Sequence, residues 1–230
     1  MDNTVRISGI LSDFNGNPLP NGEVYIKDAD LSAYAYAAKT DENGKFAIDA
    51  KKGSYMAITG VTDYAINFLE YWGWNIPAFE DMEINMRIDG IEVYGINAFL
   101  IQRSRPNITM MVYFRPMSLV KCKIVRNTIN PNSESIVDIA PELEIGDIDI
   151  TVDGQTPAIM GINRVTERAM ENQIKLTGYL VQLTVPESVY HREYVKIHIS
   201  LRDRATGERG EGCLFWKKPN AFNFFVNHDD

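Results

Sequence analysis

The feature that most constrains this chain is a pair of Asn-Gly dipeptides, Asn15-Gly16 and Asn43-Gly44, each set among short runs with apolar residues at every second position. Asn and Gly tolerate the positive φ that a tight strand connection requires, so each pair predicts a turn between strands. Before the first pair, Val5, Ile7 and, past the Gly9 break, Leu11 share one parity, while Arg6, Ser8 and Ile10 share the other. Side chains of a strand alternate between its faces, so the first set predicts a buried face. After the second pair, Phe46 and Ile48 start a new strand in the same way, and Tyr55-Met56-Ala57-Ile58 starts the next after Gly53. Such a meander presents one apolar face and needs a second sheet to cover it.

In sequence order these elements are Ile7 to Leu19 with its Asn15-Gly16-Asn17-Pro18 turn, then Val24-Tyr25-Ile26, then Thr40 to Ile48 with Asp41-Glu42-Asn43-Gly44, closing at Gly53-Ser54-Tyr55. This order resembles the carboxypeptidase regulatory-like domain, a transthyretin-like (prealbumin-like) β-sandwich, over about a quarter of the chain. The resemblance implies a scaffold with no catalytic group of its own, in a bacterial secreted or surface-associated protein. Folds of this type leave function to loops and exposed faces.

The chain has 230 residues, which suits two domains of about a hundred residues each. With 45% hydrophobic and 23% charged residues, and 10 Phe, 11 Tyr and 3 Trp to fill cores, it reads as folded and not disordered. A net charge of −8 and the absence of a basic run longer than Lys217-Lys218 argue against a nucleic-acid or anionic-membrane partner. No stretch approaches the roughly twenty apolar residues that span a bilayer. Met1-Asp2-Asn3-Thr4 leads directly into the first strand without a signal segment, so a secreted or cell-surface location is expected only if one has been removed. Cys122 and Cys213, the only cysteines, exclude a disulfide framework and a four-cysteine zinc site. Strand parity with Val120 and Ile124, and with Phe215, points both into a core, as two free thiols or as one inter-sheet disulfide.

Farther along, Met82, Ile84, Met86 and Ile88 alternate with Glu83, Asn85 and Arg87 as one half-buried strand, and Asp89-Gly90 predicts a hairpin to a strand over Ile91 to Ile101. The polar run from Gln102 to Asn107 reads as a domain boundary. Beyond it, strands are expected over Ile108 to Phe114, broken by Arg115-Pro116, over Ser118 to Val125, and near Leu143 to Val152, Ile174 to Val185, Tyr194 to Leu201 and Gly212 to Trp216. Asn130-Pro131-Asn132-Ser133 reads as a loop, Asp153-Gly154 as a turn, and Arg204 to Glu208 as the hairpin between the last two strands. Asn163 to Asn172 is the one helical candidate, a loop being the alternative. Recurrent turns in an all-β pattern suggest an immunoglobulin-like sandwich.

Three groups of residues bear on chemistry. Trp72 and Trp74 share a strand face, about 7 Å apart if extended. With Tyr71, Glu70 and Asn75 they read either as core or inter-domain packing or as an aromatic platform for a glycan or peptide. Intradiol dioxygenases, which open on transthyretin-like segments, hold iron with two Tyr and two His after an Arg-Pro. Here Met117-Ser118-Leu119 follows Arg115-Pro116, while His191 and His198 have opposite parity on one continuous strand, so no iron site is expected. His228 reads as solvated. The Tyr-Arg-Gly-Ser ending of transthyretin-like hydroxyisourate hydrolases is absent. Asp28/Asp30 and Asp147/Asp149 each share a strand face, as solvated acids or as a Ca²⁺ pair. Asn107-Ile108-Thr109 matches a glycosylation acceptor.

The sequence thus predicts an all-β protein of two β-sandwich domains, transthyretin-like over residues 1–103 and immunoglobulin-like over 104–230. The expected role is a non-catalytic structural or interaction module; the alternative is a carbohydrate-binding module built on Trp72 and Trp74. No metal, cofactor or nucleic acid is expected, and a protein or carbohydrate is the expected ligand class.

Overall fold

The computed structural model describes residues 3–101, 108–128, 137–168, 174–186 and 188–219. The first strands are β1 (Thr4–Asp13), β2 (Glu23–Lys27), β3 (Tyr36–Lys39), β4 (Lys45–Lys51), β5 (Gly53–Val61), β6 (Tyr71–Ala78), β7 (Met82–Glu83) and β8 (Met86–Ile88). Then come β9 (Ile91–Ile101), β10 (Thr109–Ser118), helix α1 (Leu119–Thr128), β11 (Val137–Asp138), β12 (Ile148–Val152) and β13 (Ile159–Arg168). The chain continues through β14 (Ile174–Thr184), a helical turn α2 (Ser188–His191), β15 (Tyr194–Arg202) and β16 (Arg209–Lys217). No helix among the described residues is long and apolar enough to cross a membrane.

The chain is all-β and built as two sandwiches that share one sheet. In the first, β4-β1 with β7 and β8 faces the β6-β5-β2-β3 part of a seven-stranded sheet. Val5, Ile7 and Leu11 are buried between them with Val24, Ile26, Phe46, Ile48 and Ile58, as their parity requires. In the second, β13-β14-β10-β9 covers β12-β15-β16, the remainder of the same seven-stranded sheet. Val93, Val112, Phe114, Val181, Ile197, Ile199 and Trp216 fill that core.

The two Asn-Gly turns form as expected. Gly16 and Gly44 have φ of 84° and 71°, and the Asp13 and Asp41 carboxylates accept the N–H groups of Asn15 and Asn43. At Asp153-Gly154 φ is also positive, at 48° and 76°.

Several expectations change. The run 82–88 is split into β7 and β8, because the Asn85 side chain accepts the Ile10 N–H at 2.9 Å in place of a ladder bond. Asp89-Gly90 is no hairpin: β8 pairs with β1 and β9 with β10, so this dipeptide carries the chain between sheets. Residues 119–128 form a helix instead of a strand. Ser118 caps it by accepting the Lys121 N–H, and Glu208 accepts the Val120 N–H. Strand parity therefore does not apply to Cys122, which is half-buried, whereas Cys213 is fully buried; both are free. β10 runs on through Pro116, beyond the point where its ladder with β14 ends at Phe114. The helical candidate is strand β13 up to residue 168, and 169–172 lie outside the described residues. So do Asn107, Asn130 to Ser133 and His228.

The passage between cores also falls elsewhere than residue 103. Strand β9 packs in the second core, so the change comes at Asp89-Gly90, and the late strand β16 returns to pair in parallel with β6. A fragment of residues 1–103 would leave β9 without β10 and β6 without β16. It is expected to show no cooperative urea transition by circular dichroism, whereas a soluble, cooperatively folding fragment would show β16 to be dispensable to the first core. At the Asn43-Gly44 turn, a Cβ on Gly44 would lie 2.4 Å from the Leu11 carbonyl oxygen in addition to the positive φ. Gly44→Val should therefore cost roughly 1–3 kcal/mol in a chemical denaturation series.

Candidate functional site

Strand β6 crosses the junction of the two cores, and its alternation is interrupted at Asn75, where φ is positive. Tyr71 before it and Ile76 and Ala78 after it enter the first core, whereas Trp74, of the same parity as Ile76, packs against the second. The five residues expected to form one ligand platform are therefore separated. Tyr71 is fully buried and donates its hydroxyl to the Cys213 sulfur at 3.1 Å. Burial pushes the thiol of Cys213 up, away from the reactive thiolate. Asn75, at φ 57°, donates its amide to the Phe215 carbonyl at 2.6 Å and ties β6 to β16.

Trp72 and Trp74 do share a face, but their rings stack on each other, 5.0 Å apart at 15°. The Tyr94 ring meets both edge-on, at 4.9 and 5.2 Å. A sugar platform needs an open ring face, and here Trp72 is only 7% exposed. The reason is on β9, which places Glu92 and Tyr94 on the side facing these tryptophans. Trp72 Nε1 donates to Glu92 Oε1 at 3.0 Å, and the Tyr64 hydroxyl approaches Oε2 at 3.4 Å.

Glu92 is 3% exposed. Burial pushes its carboxyl up to about 8, the nearby Glu70 charge adds to the shift, and the hydrogen bonds from the Glu70 backbone, Trp72 and Tyr64 only partly oppose it. Glu70 is itself raised by burial. In the β9/β10 ladder Glu92 lies opposite Met117 and Tyr94 opposite Arg115. These four residues and Leu176 of β14 line a cavity of about 160 Å³. The Arg115 guanidinium lies 4.8 Å from the Tyr94 ring and pairs with Glu167 at 2.9 Å; Tyr113 donates to the same carboxylate.

A second polar cluster joins the sandwiches. Glu211, 3% exposed, accepts the Arg87 backbone N–H and guanidinium, and His198 Nε2 lies 3.2 Å from it. Burial pushes the Glu211 carboxyl up, but the bonds from His198 and Arg87 outweigh it and hold the group below the usual carboxylate range. His198 is on β15, whereas His191 ends α2, so they do not belong to one strand. Among the described residues no three His, Cys, Asp or Glu side chains come together as metal ligands. Asp147 is buried against Arg204 and the Glu144 N–H while Asp149 is exposed; Asp28 and Asp30 lie in the loop after β2.

Glu92, Tyr94 and Arg115 were not among the expected site residues. On sequence, Glu92 and Tyr94 are the polar alternates of an amphipathic strand, which read as facing solvent.

No family model matches the chain, and no curated protein does. Among solved structures, a DUF3823 family protein from Bacteroides ovatus is 8% identical, with 93% of this chain and all of that chain covered and a TM-score of 0.28. The corresponding values for a DUF3823 family protein from Parabacteroides merdae are 9%, 94%, 100% and 0.29. For the major pilin subunit of Bacillus cereus they are 12%, 92%, 69% and 0.29. At these scores the likenesses carry no functional weight.

The Glu92 carboxyl sets a pH dependence. Its folded pKa, about 8, lies above the ordinary glutamate value of 4.5, so the folded chain retains a proton that the unfolded chain loses across that interval. The contribution of Glu92 to stability therefore falls as pH rises from about 4.5 to about 8. Glu92→Gln removes this loss. Its melting temperature relative to the parent should be higher at pH 8.5 than at pH 5, and an equal difference at both pH values would contradict the buried-acid assignment.

Proposed function

We propose that this chain is a non-catalytic structural module of a secreted or surface-associated bacterial protein, in which two β-sandwiches act as one rigid body. The resemblance of residues 5–55 to a transthyretin-like regulatory domain supports a scaffold of this kind. The observation that carries the reading is the parallel pairing of β16 with β6, Gly212 to Leu214 against Trp72 to Trp74, which makes one sheet serve both sandwiches. Side chains that would be suspected of chemistry are joints at or beside that seam. Tyr71 holds Cys213 and Asn75 holds the Phe215 carbonyl across it, while Arg87 of β8 and His198 of β15 hold Glu211 of β16. Trp72 is likewise tied to Glu92, so its polar edge is engaged within the chain.

A shared sheet resists bending at the junction, since a hinge there would break backbone hydrogen bonds and uncover both cores. Force spectroscopy on the chain held by its two ends tests this. One rupture is expected, releasing roughly 700 Å of chain at about 3.3–3.6 Å per residue. Two successive ruptures, each releasing about half that length, would show two independent domains and defeat the rigid-body reading.

A further inference from the structure

We propose that the cavity between β9, β10 and β14 binds a primary alkylammonium group, its nitrogen against the Glu92 carboxylate and its carbon chain along Met117 and Leu176. The site adjoins the β6–β16 seam through the Trp72 bond to Glu92, but its walls belong to β9, β10 and β14.

Glu92 lines the cavity although it is 3% exposed. A carboxylate offers about four lone-pair positions. Glu92 accepts from Trp72 Nε1 at 3.0 Å, from the Glu70 backbone N–H and, at a long 3.4 Å, from the Tyr64 hydroxyl, all of them neutral donors that leave its charge unbalanced. The surrounding charges do not supply a counter-ion. Glu70, which precedes β6, is a like charge, and Cys122 of α1 is a thiol that burial pushes up. Lys27 of β2 sits 5.6 Å from the Trp72 ring. Arg115 shares the cavity wall but is drawn to Glu167 and to the Tyr94 ring. Among the described residues Glu92 has no ion pair.

A buried acid without a counter-charge is costly, and it stays protonated instead. A ligand that brings an ammonium group into the cavity supplies both the charge and up to three donors. The remaining walls are the Tyr94 ring, Met117 and Leu176, which suit a short hydrocarbon chain. At about 30 Å³ per water-sized group, 160 Å³ holds about five heavy atoms, the size of n-butylammonium or of the end of a lysine side chain.

The test titrates the full chain with n-butylammonium chloride against matched sodium chloride, following tryptophan emission, since Trp72 bonds directly to the group that would change charge. A saturable response is expected at pH 8.5. At pH 6.5 the apparent affinity should fall roughly tenfold or more, because Glu92 must first lose its proton. n-Butanol should give no response, and Glu92→Gln should weaken butylammonium binding at least tenfold while keeping a cooperative melt. Amide NMR shifts on β9 and β10 provide a second readout. Nα-acetyl-lysine methylamide separates the sources: an equal response indicates a protein lysine, and a response to butylammonium alone indicates a free amine. The proposal is overturned by the absence of any saturable response in both readouts, by an equal response to butanol, or by Glu92→Gln binding like the parent.

Discussion

Strand β16 is the element on which both cores depend. It hydrogen-bonds to β15 on one side and β6 on the other, and its two faces meet different cores. Cys213 enters the first, whereas Leu214 and Trp216 enter the second. A strand covered on both faces has no solvent side to mark with polar residues, which accounts for its nearly unbroken Cys213-Leu214-Phe215-Trp216 run. The two glycines before that run have a spatial cause. A Cβ on Gly210 would fall 2.0 Å from the Ile91 carbonyl oxygen, and one on Gly212 would fall 2.9 Å from that of Trp72. Close backbone approach at this crossing leaves no space for side chains, and it is what lets β9 lie against β16, an interior strand of the shared sheet.

The polar groups at the seam act by specificity more than by net strength. Burying a carboxylate such as Glu211 incurs a desolvation cost that its Coulomb gain roughly offsets. Removing a partner is a different matter, since the remaining charge is then buried alone. Arg87 sits on β8 and Glu211 on β16, so a shifted register between the sandwiches would leave Glu211 in that state. The Asn75 to Phe215 bond imposes a similar penalty on the β6–β16 register. Apolar packing alone would tolerate a slip far better.

Much of the local architecture was legible in the sequence, and much of the long-range arrangement was not. The Asn15-Gly16 and Asn43-Gly44 turns and the burial of Val5, Ile7 and Leu11 follow from φ preference and period-two alternation, both local properties. Helix α1 leaves little local signal because its N-terminal support comes partly from Glu208, distant in sequence. The division at 103 rests on a polar run, which marks a break in local pattern, but which core a strand joins depends on partners such as β10 and β16. The aromatic pair was seen as an alternation at Trp72 and Trp74. Its partners Glu92 and Tyr94, twenty residues on, were not, because a polar alternate looks the same whether it faces water or another sheet's indoles.

The position of β16 in the chain has a consequence for biogenesis. During synthesis β6 emerges long before β16, so the edge of the first sandwich that will later be paired stays open while the second half is made. Its free N–H and C=O groups at Trp72 to Trp74 are then a template for any extended segment nearby, including another nascent copy. A cell making this protein must therefore keep that edge from foreign pairing until the chain is nearly complete, and the interval is set by elongation rate rather than by the speed of hairpin formation.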